Sequence, residues 1–202
     1  MADQEASGDE QFAAPADDAA LASSASFSVA KYHKQLHDIN RFTSGNERMD
    51  RWLHRSMSQY EKRDLARTFV LVRSEESVSK PQPIYGYYTL SNHSVRFADL
   101  PDAQQKGLPR NNVPVVLIGQ LAVHTDCQRQ GLGEHLLLDA LAKIQIISAS
   151  IAIRAVEVDA IDQPARDFYL KYGFLSLQDD PMHLFLPMTT IRQLDLVREQ
   201  SK

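Results

Sequence analysis

Two glycines one residue apart follow a long apolar run, in the stretch Gln128-Arg129-Gln130-Gly131-Leu132-Gly133. Glycine tolerates positive φ and lets a ligand approach the backbone, so a Gly-x-Gly pair opening a helix directs several unpaired N–H groups at one point. The helix dipole adds about half a positive charge there, which favours a phosphate. These residue types therefore predict a phosphate-binding turn, with Arg129 as an additional positive charge.

Two common phosphate loops do not fit this stretch. A Walker loop requires Gly-Lys-Ser/Thr, whereas Glu134 and His135 follow Gly133. The dinucleotide fingerprint requires a third glycine at the position that Leu136 occupies. Taken alone, the pair is also compatible with a plain turn from a strand to a helix, so the rest of the chain has to decide between the two readings.

Tyr169 is a second residue that could take part in catalysis; it lies in Asp162-Gln-Pro-Ala-Arg-Asp-Phe168-Tyr169-Leu-Lys-Tyr172-Gly173-Phe174. By itself it reads equally as a helical aromatic residue packed into the core, and Tyr172 is expected to be a core residue. Together, however, the two segments resemble the pyrophosphate loop and the tyrosine helix of the GNAT acetyltransferases. They occur in the order and at the spacing of that family.

The resemblance implies an α+β fold, with a mostly antiparallel central sheet that is splayed at the cofactor strand and flanked by helices. It implies acetyl-CoA as co-substrate and Tyr169 as the general acid that protonates the departing thiolate. Main-chain groups of Leu121, Ala122 and Val123 would bind the pantetheine arm, and Gln128, Arg129, Gln130, Gly131, Leu132 and Gly133 the pyrophosphate. Asp162 and Phe168 are carried over as further cofactor contacts.

A second set of blocks resembles the GNAT toxins of bacterial toxin–antitoxin pairs. They include Phe42-Thr-Ser-Gly45, Asp50-Arg-Trp52-Leu53, Gly86-Tyr-Tyr-Thr-Leu90, Leu121-Ala-Val123 and Asp180-Pro-Met-His-Leu-Phe-Leu-Pro187. This likeness implies acetylation of the amino group of aminoacyl-tRNA, a block of translation, a ribbon-helix-helix antitoxin and a homodimer. The sequence departs from the pattern at Gln120, where Arg is usual, and at Asp162, where Asn is frequent.

Two other functions remain open at this point. One is a GNAT enzyme that acetylates a small amine, a peptide N-terminus or a lysine, and Gln120 leaves room for it. The other is a catalytically weak module that binds acyl-CoA and acts through partner contacts.

Positive residues give two candidate surfaces for tRNA. Arg48, Arg51 and Arg55 fall on one arc of a predicted helix, and Lys106 and Arg110 lie in the loop before the apolar strand. Ordinary solvated surface charge is the alternative for both groups.

Charge and composition bound the rest of the architecture. Residues 1–27 contain six acidic residues and no Lys or Arg, which predicts a disordered acidic tail before a single domain at 28–202. Removing these six charges takes the net charge from −4 to +2. Neither a signal peptide nor a membrane span is predicted, so a cytoplasmic protein is expected. The single cysteine, Cys127, is expected to be structural, and the histidines predict no metal site.

The elements that must position these groups follow from periodicity and turn signals. A capping box at Ser44 and Glu47 predicts a helix to about Tyr60, with Met49, Leu53, Met57 and Tyr60 buried. Strands are predicted within 32–39 and at 67–73, 84–91, 113–123, 151–159, 174–177 and 183–187. Further helices are predicted at 131–147, 163–172 and from about 190.

Overall fold

The computed structural model describes residues 26–74, 81–194 and 196. Nine strands lie in this part of the chain: β1 Phe27–Lys31, β2 His37–Asp38, β3 Arg67–Arg73, β4 Gln82–Pro83, β5 Gly86–Val95, β6 Val113–Val123, β7 Ala155–Asp159, β8 Leu175–Ser176 and β9 His183–Pro187. The α-helices are α1 Glu47–Arg51, α2 Met57–Lys62, α3 Asp102–Gln105, α4 Leu132–Ile147, α5 Gln163–Lys171 and α6 Met188–Gln193. Short 3-10 turns cover Phe97–Asp99 and Thr125–Cys127.

Seven of the strands form one sheet in the order β1-β3-β5-β6-β7-β9-β8. Every neighbouring pair is antiparallel except β6 and β7, which run parallel. The ladder between β6 and β7 covers only Val115–Leu117 opposite Ala155–Glu157, although β6 continues to Val123. The sheet therefore splays after Leu117 and leaves one edge of β6 without a neighbouring strand. This confirms the predicted α+β sheet.

A β-bulge lies in β6 beside the splay. Leu90 of β5 pairs with Ile118 and Thr89 pairs with Gln120, so Gly119 is the extra residue. A bulge shifts the alternation of side chains by one position. As a result Gln120 and Ala122 project to the same side of the sheet as Leu117 does, and that side faces the first helix.

Two apolar layers enclose the sheet. Helices α4 and α6 and the tyrosine of α5 cover one face through residues such as Leu137, Leu141, Tyr169 and Ile191. The first helix, residues 47–62, covers the other face near β3, β5 and β6 through Met49, Leu53 and Met57, which pack with Val70, Tyr87 and Ala122. Because the sheet is covered on both sides, the splay opens between these two layers.

The first helix differs from its prediction at both ends. Its N-cap is Asn46, whose side chain accepts hydrogen bonds from the amides of Arg48 and Met49, so the capping box at Ser44 is wrong. The amide and hydroxyl of Ser44 instead donate to Asp50 at 2.8 and 2.6 Å. A π-helical segment, Trp52–Ser56, separates α1 from α2. It adds about one residue to a turn and rotates later residues by ~100°, so Tyr60 is 41% exposed rather than buried.

Other predicted boundaries also move. The strand within 32–39 is reduced to His37–Asp38, and β1 begins at Phe27, one residue before the predicted domain start. Edge strand β1 was missed because its alternation is weak; it is fixed by antiparallel pairing to β3. The predicted acidic tail up to residue 25, and most of the polar turn after Ser74, lie outside the described residues. No helix in the described ranges is long and apolar enough to cross a membrane.

Candidate active site

The glycine turn has the conformation that its sequence predicts. Gly131 is the N-cap of α4 and has φ +81°, and Arg129 has φ +61°. A left-handed conformation is unfavourable for arginine, and such strain is concentrated at functional sites. A cavity of about 340 Å³ lies against the turn and is lined by residues that include Arg129, Gly131 and Gly133.

This cavity stays open because Gly131 and Gly133 have no side chains. A Cβ added at Gly131 would have no atom within 4 Å, and one added at Gly133 would lie 3.9 Å from the Phe168 ring. Gly133 therefore exposes backbone on the side where Phe168 forms the opposite wall. Because α4 begins at this turn, its first backbone N–H groups are available to an anion. These groups and the cavity together fit a diphosphate.

Side chains of the turn brace it from the outside. Gln128 Nε2 donates to the carbonyl oxygens of Ser44 at 2.8 Å and Val123 at 3.1 Å. Gln130 Nε2 donates to the carbonyl oxygen of Asp126 at 3.1 Å. These amides hold the turn to β6 and to the entry of the first helix, which leaves ligand binding by Gln128 and Gln130 to their backbone groups.

Three residues at this cavity were missed or misread from the sequence. Lys171, Tyr172 and Glu134 all line it, together with the predicted Val123 and Phe168. Tyr172 was expected in the core; it is only partly buried, and burial and a hydrogen bond with Glu134 raise its pKa. Lys171 lies three residues after Phe168 in α5, so the two side chains share one face of the helix. This spacing could have placed Lys171 at the same cavity as the Phe168 ring.

A second cleft lies where the sheet splays. It is lined by Met49 of the first helix, Ile118, Gly119, Gln120 and Leu121 of β6, Asp159 of β7, and Ile161, Ala165 and Tyr169. The predicted cofactor strand and the predicted general acid thus meet in one place. Ala122 does not line this cleft, and its side chain is buried with residues of the first helix, β3 and β5, so only its backbone is available on the free edge of β6.

Tyr169 packs against two other aromatic rings. Its ring packs edge-on against Phe168, with centroids 5.2 Å apart, and against Phe174 at 5.3 Å. Burial raises the pKa of Tyr169, so its phenol stays protonated at neutral pH. No hydrogen bond to this hydroxyl is found among the residues that the structure describes. Among the described residues the ring of Tyr169 contributes packing, and its protonated phenol is compatible with the role of general acid, which stays a prediction.

Asp162 has a structural role. Its carboxylate accepts from the amide of Ala165 at 2.8 Å and caps α5. This bond fixes the start of the helix that carries Phe168 and Tyr169. Contact of Asp162 with a cofactor stays a prediction, as does that of Leu132.

The positive residues form two separate groups. Arg48, Arg51 and Arg55 are exposed on the first helix, and Arg51 pairs with Glu47. Arg51 and Arg55 line a groove of about 490 Å³ with Glu47, Asp50, His54 and the Thr43–Gly45 segment. Thr43 in turn accepts a hydrogen bond from the amide of Thr125, which links this groove to the turn after β6.

Lys106 and Arg110 are exposed in the loop before β6. Strand β6 has 11 residues, so its Val113 end lies ~33 Å from the glycine turn that follows Val123. The structure does not bring these two residues together with the arginines of the first helix.

Cys127 is buried, and burial raises the pKa of its thiol, as befits a structural cysteine. Within the described ranges, no group of three or more His, Cys, Asp or Glu side chains is placed to hold a metal ion.

An extended thioester with a diphosphate at its far end fits this arrangement. Its amide-containing arm would lie along the free edge of β6. The glycine turn and Arg129 would hold the diphosphate, and Lys171 adds a positive charge at the same cavity. Proteins that combine a splayed strand, such a turn and a buried proton donor are acyl-CoA-dependent acyltransferases.

The chain belongs to the GNAT acetyltransferase family. A family model described as an acetyltransferase (GNAT) domain matches residues 67–175. A "tRNA-acetylating toxin" from Mycobacterium tuberculosis is 33% identical over 168 residues, which cover 83% of this chain and 96% of that protein. The protein is thus an acetyl-CoA-dependent acetyltransferase.

Solved structures agree with this assignment. "AtaT complexed with acetyl-methionyl-tRNAfMet" matches with a TM-score of 0.76 and 27% identity, covering 84% of this chain and 99% of that one. "Crystal structure of AtaTR bound with AcCoA" matches with a TM-score of 0.71 and 27% identity, covering 83% and 97%.

Proposed function

We propose that this protein transfers the acetyl group of acetyl-CoA to the α-amino group of aminoacyl-tRNA, and so blocks translation as the toxin of a toxin–antitoxin pair. One observation carries the proposal: the first helix borders both the Tyr169 cleft, through Met49, and the groove that Arg51 and Arg55 line. An acceptor whose amine enters the cleft would therefore place its phosphates beside these arginines. The relatives whose names or titles mention tRNA support the same substrate.

The acceptor amine is a nucleophile that needs little help. Its lone pair must be free, and an α-amino group titrates near ~7.7–8.0, so a useful fraction is neutral at physiological pH. The amine attacks the acetyl carbon and the C–S bond breaks, which yields an amide and the thiol of CoA; the proton that the nitrogen loses passes to water. Tyr169 would donate its phenolic proton to the departing sulfur and recover it from solvent, worth on the order of 10²–10⁴ in rate.

The test is transfer of labelled acetyl to a pool of charged tRNA. Label is expected on charged tRNA, and neither on uncharged tRNA nor on free amino acids. Mild alkali, which cleaves the aminoacyl ester, should release the label as N-acetyl amino acid. Label on lysines, peptide N-termini or small amines alone would replace tRNA with that acceptor.

Charge variants locate the tRNA surface. Arg51→Gln with Arg55→Gln should raise KM for charged tRNA and reduce the salt dependence of binding by about two counterions. Lys106→Gln with Arg110→Gln is the matched control, because it removes the same charge at the other end of β6. A larger effect of the control pair would move the tRNA surface to the loop before β6.

We further propose a homodimer in the cytoplasm that is neutralised by a ribbon-helix-helix antitoxin. This rests on the toxin-like blocks of the sequence. Co-expression with the product of an adjacent small reading frame should yield a stable complex, and light scattering should give twice the chain mass for the protein alone. A monomer, or toxicity unaffected by the neighbouring product, would overturn these assignments.

A further inference from the structure

Gln120 carries an oxygen without a partner inside the active-site cleft. Its side chain lines the cleft with Tyr169 and Leu121. Its Oε1 atom is buried and accepts no hydrogen bond from any residue that the structure describes. A buried amide oxygen without a donor costs folding free energy, and such groups in native proteins call for an explanation. At an active site the simplest explanation is a donor that arrives with the substrate.

The direction of the side chain indicates which substrate supplies that donor. The bulge at Gly119 turns Gln120 to the face that packs against the first helix, the same face as Ala122 and Thr89. Tyr169 belongs to the opposite layer, with α4 and α6. The two side chains thus approach the splay from opposite faces of the sheet.

The amine attacks one face of the planar thioester, and the sulfur leaves as a separate substituent of the tetrahedral intermediate, so the two groups can occupy different parts of the cleft. With Tyr169 at the departing sulfur, the side of Gln120 and the first helix is available to the acceptor amine. Arg51 and Arg55 line their groove on this same first helix. The cofactor arm, by contrast, meets the backbone edge of β6 rather than the Gln120 side chain.

We propose that Gln120 Oε1 accepts a hydrogen bond from the α-amino group of the aminoacyl acceptor and aims its lone pair at the acetyl carbon. This inference rests on the proposed function, because it names the acceptor group of that reaction. The amide suits the task since it is neutral and accepts hydrogen bonds. An arginine at this position would offer only donors, and would repel the positive charge that develops on the attacking nitrogen.

The first test compares two identical substitutions. Gln145 on α4 also has a buried Oε1 to which no described residue donates, but it does not line the cleft. Replacing either glutamine by methionine removes an unsatisfied oxygen at similar shape, so both variants should melt at a higher temperature than wild type. Only Gln120→Met should lower kcat/KM for charged tRNA, by about tenfold for one lost hydrogen bond. The Kd for acetyl-CoA should change less than about twofold in both.

The second test uses charge at the same position. Asp159 and Tyr169 are the other titratable residues lining the cleft. Gln120→Glu keeps the accepting oxygens and would stabilise the ammonium form of the acceptor, so the acidic limb of the kcat/KM profile should move to higher pH. Gln120→Arg introduces the residue that is usual in the family and removes the accepting oxygen, so its kcat/KM profile should not move to higher pH.

The outcomes separate this inference from the proposed function. A wild type that fails to acetylate charged tRNA overturns both. If the wild type is active, two results overturn the role of Gln120 alone. In one, Gln120→Met is as active as the wild type; in the other, Gln120→Met weakens acetyl-CoA binding by the same factor as it lowers kcat/KM. An unmoved pH profile in Gln120→Glu also contradicts it, and that variant decides the matter if Gln120→Met does not fold.

Discussion

Replacing Tyr169 by phenylalanine removes one hydroxyl and keeps the ring that packs against Phe168 and Phe174. That hydroxyl makes no hydrogen bond to the described residues, so no partner is left unsatisfied by its loss. We therefore expect the free energy of unfolding to change by less than about 1 kcal/mol. Acetyl-CoA binding should also be unchanged, because the glycine turn and the free edge of β6 are untouched.

The rate should respond very differently. Loss of a general acid lowers the rate by on the order of 10²–10⁴, which corresponds to a barrier higher by ~2.7–5.4 kcal/mol at 1.36 kcal/mol per factor of ten. Single-turnover transfer of labelled acetyl to charged tRNA measures this step directly, with acetyl-CoA affinity from calorimetry beside it. Because burial raises the pKa of Tyr169, the wild type should keep its activity on the alkaline side up to at least about pH 10.

Tyr172→Phe is the matched control. It makes the same change at the cavity of the glycine turn, away from the Tyr169 cleft, where burial and a hydrogen bond with Glu134 raise the pKa of Tyr172. We expect it to alter acetyl-CoA affinity modestly and to leave the single-turnover rate at saturation unchanged. Either of two results would refute the assignment of Tyr169 as proton donor. The rate of Tyr169→Phe could lie within about threefold of wild type, or the variant could lose stability in step with rate.

Substitutions at three further positions test the frame around the site. Gly86→Ala places a Cβ 2.8 Å from a buried methyl of Leu136, so urea melts should show a loss of about 1–3 kcal/mol. Asp162→Ala removes the cap of α5 and should cost about 1 kcal/mol, whereas Asp162→Asn, a cap of similar strength, should restore most of it. Burial lowers the pKa of His183, but its hydrogen bonds to Glu157 and Asp179 raise it overall. That stabilisation is present below the unfolded pKa of ~6.5 and is lost as pH rises through the higher folded value. The stability difference between wild type and His183→Gln should thus be larger near about pH 6 than near about pH 9, and an equal difference at both would contradict it.

Much of the frame could be read from the sequence because its signals are local. The run Val113–Val123 is apolar along its whole length and is bounded by polar loops, so its limits as β6 were predicted correctly. Gly131 and Gly133 mark the start of α4. Glycine readily adopts the left-handed conformation of the cap, and without a side chain it lets a ligand approach the backbone. The motif around Tyr169 fixed its helix in the same way.

Tertiary structure decided what local signals do not encode. Whether Ser44 or Asn46 caps the first helix depended on Asp50, which binds Ser44 from within the folded helix. The π-helical segment exposes Tyr60. It could not be predicted from the apolar pattern, because that pattern assumes the same rotation per residue along the whole helix.

The site itself came from elements far apart in the chain. The sequence by itself predicted a phosphate-binding turn, a proton donor and an apolar strand, since each depends on a few neighbouring residues. Only packing could bring Met49, Gln120, Asp159 and Tyr169 to one cleft, because the splay arises where β7 leaves β6 after three paired residues. The bulge at Gly119 then turned Gln120 toward the side of the first helix, and a shift of one residue in register is a property of two strands together.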